Sequence, residues 1–436
     1  MSIKYQISQE LPVTHEVDVA VFGGGPGGLG AAVMAARMGA KTLLVERYGC
    51  LGGMATVGEV HPFMCNHNKM RSMDRPVYTD WVYKMMEYRP GEKPQGNEDP
   101  PNSGRQISKD ICMLAMEDLV LESGAQILYH HNLFDVVKKN GRIEAAVLFS
   151  KSGLTAVKAK TYIDCTGDAD LAFRAGCECE QGGPSGYCQP MTLCFKLAGV
   201  KKLEESELKG VPEKANEIYL KAKAAGKVDC PRENILKFQW IDSDVIHFNT
   251  TRVIKKSGVN GVELSEAEIE ARRQLRQIVK LFREEVPGYE NARIHSIAHH
   301  IGVRETRRVV GRAYLTRASF EKAEKFPDAI ARVNYPIDIH NPNGAGTEIC
   351  RVPQDDWYEI PYGCIVPKGM ANLLVGGRPI SVDHAVHSSM RVMPPACSVG
   401  QAAGMAAALA VKKNCTPPEL DGVEVRKNLV EQGAFL

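Results

Sequence analysis

The stretch Val19-Ala-Val-Phe-Gly23-Gly-Gly25-Pro-Gly-Gly28 decides the fold that this sequence predicts. Its four apolar residues form the end of a buried strand, and the glycines that follow have the spacing G-x-G-x-x-G. In this spacing Gly23 makes a tight turn, Gly25 lets the backbone approach a pyrophosphate, and Gly28 lets the next helix pack closely on the sheet. The N-terminus of that helix offers unpaired N–H groups and a positive dipole end to an anion.

The residues around this loop complete a strand, a helix and a second strand, the order that dinucleotide binding requires. Residues 18–22 and 42–46 have the composition of buried strands, and residues 26–38 that of the helix between them. Glu46 ends the second strand about 20 residues after the loop, where a carboxylate accepts hydrogen bonds from ribose hydroxyls. This carboxylate disfavours a 2′-phosphate, and the agreement of all four features argues against a merely glycine-rich turn.

Further along the chain, helices and strands continue to alternate. Ser108 is a candidate N-cap for a helix that ends at Gly124, and Asn140-Gly141 suits a tight hairpin turn within a β-meander. The predicted strands are 127–129, 134–138, 143–149, 161–165 and 372–375. In the helix after Ser108, we expect Ile111, Leu114, Ala115 and Leu119 to share one face.

Two later helices are also predicted. Ser265 and Glu268 form a candidate capping box for a helix that stops at Pro287-Gly288. Its buried face comprises Leu275, Ile278, Val279 and Phe282. Residues 392–411 form an Ala-rich helix in which Gly400 and Gly404, one turn apart, permit close backbone packing.

Composition excludes several classes of function. The 436 residues include 54 Lys and Arg against 52 Asp and Glu, so the net charge of +2 provides no excess to hold nucleic acid or an acidic membrane face. No apolar run approaches the roughly 18 to 20 residues of a membrane helix, and the polar start predicts no signal peptide. The 13 cysteines are odd in number and scattered, which favours a reducing compartment and hence a cytoplasmic location.

Four segments of the chain resemble the FAD-dependent oxidoreductases of the glutathione-reductase superfold. These segments are the glycine loop, Glu46-Arg-Tyr-Gly-Cys-Leu-Gly52-Gly53-Met-Ala-Thr56, Ile163-Asp-Cys-Thr166-Gly167-Asp168, and Gly376-Gly377-Arg378 with Gly400-Gln-Ala-Ala-Gly404. The similarity spans nearly the whole chain and is distantly shared with the fumarate reductase and succinate dehydrogenase flavoproteins. It implies that the cofactor is FAD.

The resemblance also implies which residues contact FAD. Glycines let a backbone cross the flavin closely, and the last helix would aim its dipole at the part of the ring that gains negative charge on reduction. The implied cofactor-binding residues are Gly23, Gly25, Gly28, Glu46, Arg47, Gly52, Gly53, Met54, Ala55, Thr56, Thr166, Gly167, Asp168, Gly377, Arg378, Val392 and Met393. For Gly400 and Gly404, plain helix packing is an equal alternative.

The sequence lacks the features that mark three other kinds of flavoprotein. A redox disulfide would need CxxxxC after the first βαβ unit, whereas Cys50 and Cys65 are far apart, and no second GxGxxG predicts a domain for NAD(P)H. The related hydroxylases carry Gly-Asp where this chain has Gly377-Arg378, which favours hydride transfer over oxygen insertion. Whether the flavin is covalently attached stays open, because His61 lies within reach in sequence.

Catalytic candidates occur in three places, since hydride transfer needs a partner group that moves a proton. The first cluster, 299–308, contains Arg304 and Arg307, although an internal salt bridge of Glu305 would explain it equally well. The second, 381–391, contains His384 and Arg391 and faces the flavin in the resembling family. We expect His384 to be the acid or base, with a satisfied core histidine as its alternative. His340 is the third candidate.

No metal site is predicted. Cys177, Cys179, Cys188 and Cys194 lack paired CxxC spacing. His384 and His387 could share a helix face, but no third ligand follows them.

The sequence therefore predicts an α/β protein with a Rossmann-type FAD-binding domain, in three ββα layers with a β-meander, plus an inserted α+β substrate domain. The predicted boundaries are 15–184 with a loop or lid at 60–105, then 185–365 for the substrate domain, and 366–436 for the return to the FAD-binding domain. The expected activity is hydride transfer between FAD and a small polar substrate, hydroxylated or carboxylate.

Two alternatives remain open at this point. One is an electron-transfer subunit that passes electrons to an iron-sulfur or quinone partner, and the other is a non-catalytic binding module with a dinucleotide fold. We expect a small-molecule substrate, no nucleic acid and no membrane insertion. A homo-oligomer and an electron-transfer partner are both compatible with the sequence.

Overall fold

A computed structural model describes residues 9–89, 99–100, 107–201, 211–239 and 244–436. Of the loop or lid predicted at 60–105, residues 90–98 and 101–105 lie outside the described residues. Within them, no helix is long and apolar enough to cross a membrane.

Strands, most of them short, outnumber helices in the described part of the chain. In chain order the strands are β1 (Val13–Phe22), β2 (Thr42–Val45), β3 (His67–Asn68), β4 (Arg71–Ser72), β5 (Gln126–Leu128), β6 (Asn132–Lys139), β7 (Arg142–Ser150), β8 (Gly153–Asp164), β9 (Cys179–Gln181), β10 (Phe195–Ala198), β11 (Lys237–Gln239), β12 (Ile246–Phe248), β13 (Arg293–Ile297), β14 (Arg307–Val309), β15 (Ala329–Val333), β16 (Ile337–His340), β17 (Thr347–Cys350), β18 (Tyr358–Pro361) and β19 (Leu373–Val375). The helices are α1 (Pro26–Arg37), α2 (Val77–Glu87), α3 (Lys109–Glu122), α4 (Asp170–Arg174), α5 (Val211–Ala224), α6 (Gly261–Glu285), α7 (Arg317–Glu321), α8 (His384–Met390), α9 (Met393–Lys413) and α10 (Gly422–Glu431).

A seven-stranded sheet forms the centre of the molecule, with the order β5-β2-β1-β8-β7-β6 and β19 added to β8. Strands β5, β2, β1, β8 and β19 are parallel, while β6, β7 and β8 form an antiparallel meander. The meander turns at Asn140 and Gly141, which both have positive φ, as their sequence predicts. The protein is therefore mixed α/β with a parallel core, consistent with a Rossmann-type fold.

Helices α1 and α9 pack on each other through glycine. A Cβ placed on Gly400 would lie 1.9 Å from the Gly27 carbonyl oxygen, and one on Gly404 would lie 2.2 Å from that of Ala31. A Cβ on Gly30 of α1 would lie 2.1 Å from the Cys397 oxygen. These backbones touch because both helices carry glycine at the contact, so helix packing accounts for Gly400 and Gly404.

A second hydrophobic core lies around an antiparallel four-stranded sheet with the order β11-β12-β10-β13. Helix α6 covers it with Leu275, Ile278, Val279 and Phe282, which are all buried as predicted. Members of this core run from Met191 to Val303, whereas Val309 and later apolar residues pack in the first core. The chain thus rejoins the first core near Val309. The sequence predicts that the substrate domain continues to residue 365.

Two local predictions are corrected by the structure. The range 60–105 is not simply a loop, because it contains the hairpin β3–β4 and helix α2. Helix α6 begins at Gly261, and its N-cap is Asn260, whose side chain accepts hydrogen bonds from the N–H groups of Val262 and Glu263. The predicted capping box at Ser265 therefore lies inside the helix.

Candidate functional site

A cavity of about 780 Å³ opens where the parallel strands end. Its walls include the residues that follow the carboxyl ends of β1, β2, β8 and β19, together with the N-terminal turns of α1 and α9. Small-molecule and cofactor sites commonly have volumes of about 300 to 1,000 Å³ and occur at this edge of α/β sheets. The cavity is therefore the candidate binding site for both cofactor and substrate.

The N-terminus of α1 is built to receive an anion. Its N-cap is Gly25, no side chain caps the helix, and its first turn contains no acidic residue, so its N–H groups remain available to a ligand. A Cβ on Gly53 would approach the Gly25 Cα to 3.1 Å, and a Cβ on Gly27 would approach the Gly377 Cα to 3.0 Å. The three glycine segments thus meet at this helix end, which fits a pyrophosphate that must approach the backbone.

Glu46 lies at the end of β2 in the wall of the cavity, 4% exposed. Its Oε2 accepts a hydrogen bond from the Gly24 N–H at 2.6 Å, and its Oε1 accepts one from the Tyr48 N–H at 2.9 Å. Burial raises the pKa of this carboxyl, and the backbone donors oppose the rise. Each oxygen retains acceptor capacity, which fits a role in binding ribose hydroxyls.

The loop after β8 forms the next part of the wall, and Arg378 holds it. Arg378 Nε donates to the Gly167 oxygen at 2.7 Å and Nη2 to Asp168 Oδ1 at 2.6 Å, while Nη1 donates to the Val303 carbonyl. Asp164 anchors the same loop by accepting hydrogen bonds from the Thr166 N–H and hydroxyl. Arg378 therefore joins this loop to the 299–308 cluster.

Most of the predicted cofactor-binding residues line the cavity. These are Gly23, Gly25, Glu46, Arg47, Gly53, Met54, Thr166, Gly167, Asp168, Gly377, Arg378, Val392 and Met393.

Four predicted cofactor residues do not line the cavity. Gly28 packs the helix against the loop, because a Cβ there would lie 1.8 Å from the Gly23 oxygen. Gly52 has φ of +112°, and its N–H donates to the Gly24 oxygen at 2.8 Å. The Thr56 hydroxyl donates to the Leu51 oxygen at 2.7 Å, and Ala55 is buried. These residues shape the loops behind the cavity surface.

The other end of the cavity is rich in arginine. Arg232, Arg304 and Arg391 line it together with Asp338 and His340. Burial, followed by the charge of Arg391, lowers the pKa of Arg304 to about 9, so this side chain stays cationic at neutral pH. Arg391 Nη2 lies 3.3 Å from the Asp338 carbonyl oxygen and 3.7 Å from its Oδ2. Asp338 offers one negative charge to the three arginines, so most of their positive charge is uncompensated.

Asp338 and His340 project from the same face of β16, since they are two residues apart on a strand. His340 Nε2 lies 3.5 Å from Asp338 Oδ1. Burial, and next the charge of Arg304, lower the pKa of His340 to about 3, so its ring is neutral at physiological pH. His340 can therefore donate or accept a hydrogen bond in the cavity without carrying charge.

Two of these arginines have buried donors without an acceptor. Within the described part of the chain, neither Arg232 Nη1 nor Arg391 Nε has a hydrogen-bond partner. An unpaired buried donor on a charged group is costly, and native proteins rarely leave one without a bound water or ligand. Both atoms are shut off from the cavity surface, so the cavity presents the charge of these arginines to a ligand rather than these two N–H groups.

His384 and Arg307, two of the predicted catalytic residues, are not in the cavity wall. His384 begins α8, and its Nδ1 lies 2.8 Å from Oε1 of the buried Glu305. Arg307 Nη1 donates to the Asp168 oxygen and to Asp170 Oδ1, both at 2.9 Å. The expectation that His384 faces the flavin is therefore corrected, because its imidazole is directed to the Glu305 carboxylate.

The cluster around Glu305 is largely structural. Arg308 Nη1 pairs with Glu305 Oε1 at 2.5 Å, and both side chains are buried. This is the internal salt bridge that the sequence left as an alternative. Of the cluster 299–308, Arg304 is the predicted catalytic candidate that reaches the cavity.

Arg232, Glu233 and Tyr335 belong to the cavity wall but were not predicted. Tyr335 donates a hydrogen bond to Asp338 Oδ2 at 3.2 Å. Arg232 and Glu233 lie in an irregular segment before β11 and form no motif that the sequence could have indicated. Asp338 was visible only as the partner of His340 in an Asp-x-His pattern.

The cysteines give no sign of a metal or redox site. Cys50 is half-buried and Cys65 exposed, and neither belongs to a disulfide. Among the described residues, no group of three His, Cys, Asp or Glu side chains is arranged to hold a metal ion.

Comparison with known proteins gives a family and two partial relatives. The family model for FAD dependent oxidoreductase matches residues 18–429. Over 155 residues the chain is 29% identical to the digeranylgeranylglycerophospholipid reductase of Thermoplasma acidophilum, a match that covers 34% of this chain and 39% of that enzyme. Over 166 residues it is 31% identical to the mitochondrial dihydrolipoyl dehydrogenase of Schizosaccharomyces pombe, covering 36% of this chain and 29% of that enzyme. The matches thus span well under half of either relative.

Solved structures include distant neighbours. A geranylgeranyl bacteriochlorophyll reductase-like protein from Thermoplasma acidophilum is 15% identical, with a TM-score of 0.47, and the superposition covers 96% of this chain and 84% of that one.

Proposed function

The chain belongs to the family of FAD-dependent oxidoreductases, and on that premise we propose that it oxidises or reduces a small carboxylate substrate bound by Arg232, Arg304 and Arg391. FAD is its cofactor, and when bound it supplies two-electron hydride chemistry. The observation that carries the proposal is the excess of cationic side chains, Arg232, Arg304 and Arg391, in the wall at this end of the cavity. A substrate carboxylate would compensate part of that charge.

The charges around this end of the cavity support an anionic substrate. Arg232, Arg304 and Arg391 line it, and Arg252 lies directly behind it. Glu233 and Asp338 are the nearby carboxylates, and His340 is neutral. Four positive charges against two negative charges leave an excess of two, and in a desolvated site such an excess favours a mono- or dianionic ligand. A neutral apolar substrate would leave this excess of positive charge uncompensated.

His340 takes the role that the sequence assigns to His384. Its ring lines the cavity beside Asp338 and the arginines, where a neutral imidazole can donate a hydrogen bond to a substrate oxygen as that oxygen gains charge. The residues of 185–365 that line the cavity would thus supply the substrate groups, and the glycine loops of 15–184 and 366–436 the cofactor groups. A distant relationship to fumarate reductase would agree with a carboxylate substrate and stays a proposal.

A panel of small carboxylates tests the proposal in both directions of reaction. Each acid is added anaerobically to the FAD-loaded protein to detect bleaching of the flavin, and to the dithionite-reduced protein to detect its reoxidation. We expect at least one acid to react and its primary amide to react far more slowly. If unsaturated phospholipids or neutral compounds react while no carboxylate does, the proposed substrate class is refuted.

Two arginine variants provide matched controls. Arg391→Gln removes one charge from the cavity and should weaken binding of the reactive acid about 10- to 100-fold, the value of one charge-assisted hydrogen bond. Arg37→Gln removes a charge that pairs with Asp80, and both of these side chains lie outside the cavity wall, so the variant should leave binding within about threefold. Equal effects of both variants would contradict the assignment of Arg391.

The two histidines can be separated in the same way. His340→Asn should slow turnover by about 10² or more, because a positioned hydrogen-bonding group is lost from the reacting region. His384→Asn should retain most of the turnover. The opposite order would return the catalytic role to His384.

A further inference from the structure

Arg252 is a buried arginine that contacts residues of the cavity wall without lining the cavity itself. Its side chain is 1% exposed, and it is absent from the cavity wall. Its backbone is fixed to helix α6, because Gln274 accepts a hydrogen bond from the Arg252 N–H and donates one to its carbonyl oxygen, both at 2.9 Å. The guanidinium is thereby held in one place between α6 and the β16–β17 hairpin.

The guanidinium makes three kinds of contact there. Nη1 pairs with Glu233 Oε2 at 2.8 Å and donates to the carbonyl oxygens of Gly344 and Gly346 at 3.2 and 3.3 Å. Nη2 lies 3.0 Å from His340 Nδ1. Arg252 therefore binds both the tip of the hairpin and the histidine that the hairpin carries.

The chemistry of arginine decides the roles in the last contact. A guanidinium carries only donors, so His340 Nδ1 must be the acceptor, and the single proton of the neutral ring must lie on Nε2. Nε2 is the atom that faces Asp338 Oδ1 at 3.5 Å, a distance too long for a strong hydrogen bond. The Nε2–H group thus stays available to a ligand in the cavity.

We propose that Arg252 is a positioning residue that fixes His340 as the Nε2–H tautomer and directs this donor towards the substrate. The effect on substrate rests on the proposed function, whereas the tautomer does not. A neutral histidine left free would distribute its proton between both nitrogens, so that part of the population would offer no donor to the cavity.

The charged groups around His340 also favour a neutral ring. Arg252, Arg304 and Arg391 approach from three different segments, against the carboxylates of Asp338 and Glu233. Protonating Nδ1 would place its N–H against the Arg252 N–H. The ring therefore remains neutral while its proton stays on the cavity side.

Nitrogen NMR of the FAD-loaded protein, labelled with ¹⁵N-histidine, tests the proposal without any substrate. The His340 signals are those lost in His340→Gln. In the wild type we expect a non-titrating neutral ring with the proton on Nε2 between about pH 5 and 8. In Arg252→Met we expect signals of both neutral tautomers in the same pH range.

A second variant distinguishes an effect on the His340 tautomer from an effect on the β16–β17 hairpin. Glu233→Gln removes the charge that pairs with Arg252 but leaves the contact with His340, so the Nε2–H tautomer should persist. Arg252→Lys keeps a cationic donor and should also preserve it, which covers the case in which Arg252→Met does not fold.

The proposal is overturned if wild-type His340 carries its proton on Nδ1, or if Arg252→Met leaves the proton on Nε2 alone. The second result would indicate that the Thr347 hydroxyl, which lies 3.3 Å from His340 Nδ1, fixes the tautomer instead. Since no substrate is needed, failure of the carboxylate panel leaves this test intact. Once a reactive acid is known, Arg252→Met should lower kcat more than it raises KM.

Discussion

Replacement of Gly400 by alanine should disrupt the cofactor site from a distance. The new Cβ would lie 1.9 Å from the Gly27 carbonyl oxygen and 2.7 Å from the Gly27 Cα. An ordinary contact between carbon and a carbonyl oxygen is about 3.3 Å, so α1 and α9 must separate by about 1.4 Å. Because Gly27 also lies against Gly377, this displacement opens the junction of the glycine segments at the N-terminus of α1.

The magnitude follows from the kind of atoms that clash. Overpacking a core costs about 1 to 3 kcal/mol when side chains can rotate away, and here the obstacle is backbone. We therefore expect Gly400→Ala to lower the free energy of unfolding by about 3 kcal/mol, a large part of the roughly 5 to 15 kcal/mol of a typical domain. FAD affinity should fall at least about tenfold.

Urea unfolding and flavin absorbance after gel filtration measure the two effects. The matched control is Gly261→Ala at the first turn of α6, where an added Cβ meets nothing within 4 Å. That variant should change the unfolding free energy by no more than about 1 kcal/mol and retain its FAD. If Gly400→Ala matches the control in both measurements, the packing argument is refuted.

Three further predictions concern the cofactor, the reductant and pH. Glu46→Gln should weaken FAD binding by about 1.5 to 3 kcal/mol, measured by fluorescence titration against exposed Glu321→Gln, because it removes the charge behind the ribose hydrogen bonds; equal affinities would contradict this role. NADH and NADPH should reduce the flavin far more slowly than turnover in stopped-flow measurements, since the sequence contains a single G-x-G-x-x-G dinucleotide motif, and reduction at the rate of turnover would contradict this. Burial raises the pKa of Asp74 from 3.8 to about 7, so the unfolded chain releases this proton first and stability falls as pH rises from about 4 to 7, by up to about 4 kcal/mol. Asp74→Asn should remove that part of the decline in urea unfolding at several pH values, and parallel curves for the two proteins would contradict the assignment.

The parts of the fold that were predicted correctly are those with strong local signals. The β1–α1–β2 unit follows from apolar runs separated by a glycine turn, and the meander follows from Asn140-Gly141. Helix boundaries were less certain, because the S-x-x-E pattern at Ser265 also occurs inside helices. In α3, Ala115 and Leu119 of the predicted apolar face are buried, but Leu114 is 41% exposed, because the buried side of the helix is completed by Cys112, Met116 and Val120.

The glycine-rich part of the cavity wall was predicted as a set, whereas the arginine-rich part was predicted only through Arg304, His340 and Arg391. The glycine-rich part is made by motifs that follow strand ends, so sequence order places them together. Arg232, Tyr335 and Asp338 join the arginine-rich part from segments without a motif, and only tertiary packing brings them to one cavity. His384 was misplaced for the same reason, since its partner Glu305 is 79 residues away.

The most direct test of the account compares a reactive carboxylic acid with its isosteric primary amide on the wild-type, FAD-loaded protein. Their dissociation constants are measured by the change in flavin absorbance under anaerobic conditions that prevent turnover. Charge-assisted hydrogen bonds from the cavity arginines predict that the acid binds at least about tenfold more tightly, at roughly 1.5 to 3 kcal/mol per bond. Equal binding of acid and amide would contradict an anionic substrate in this cavity.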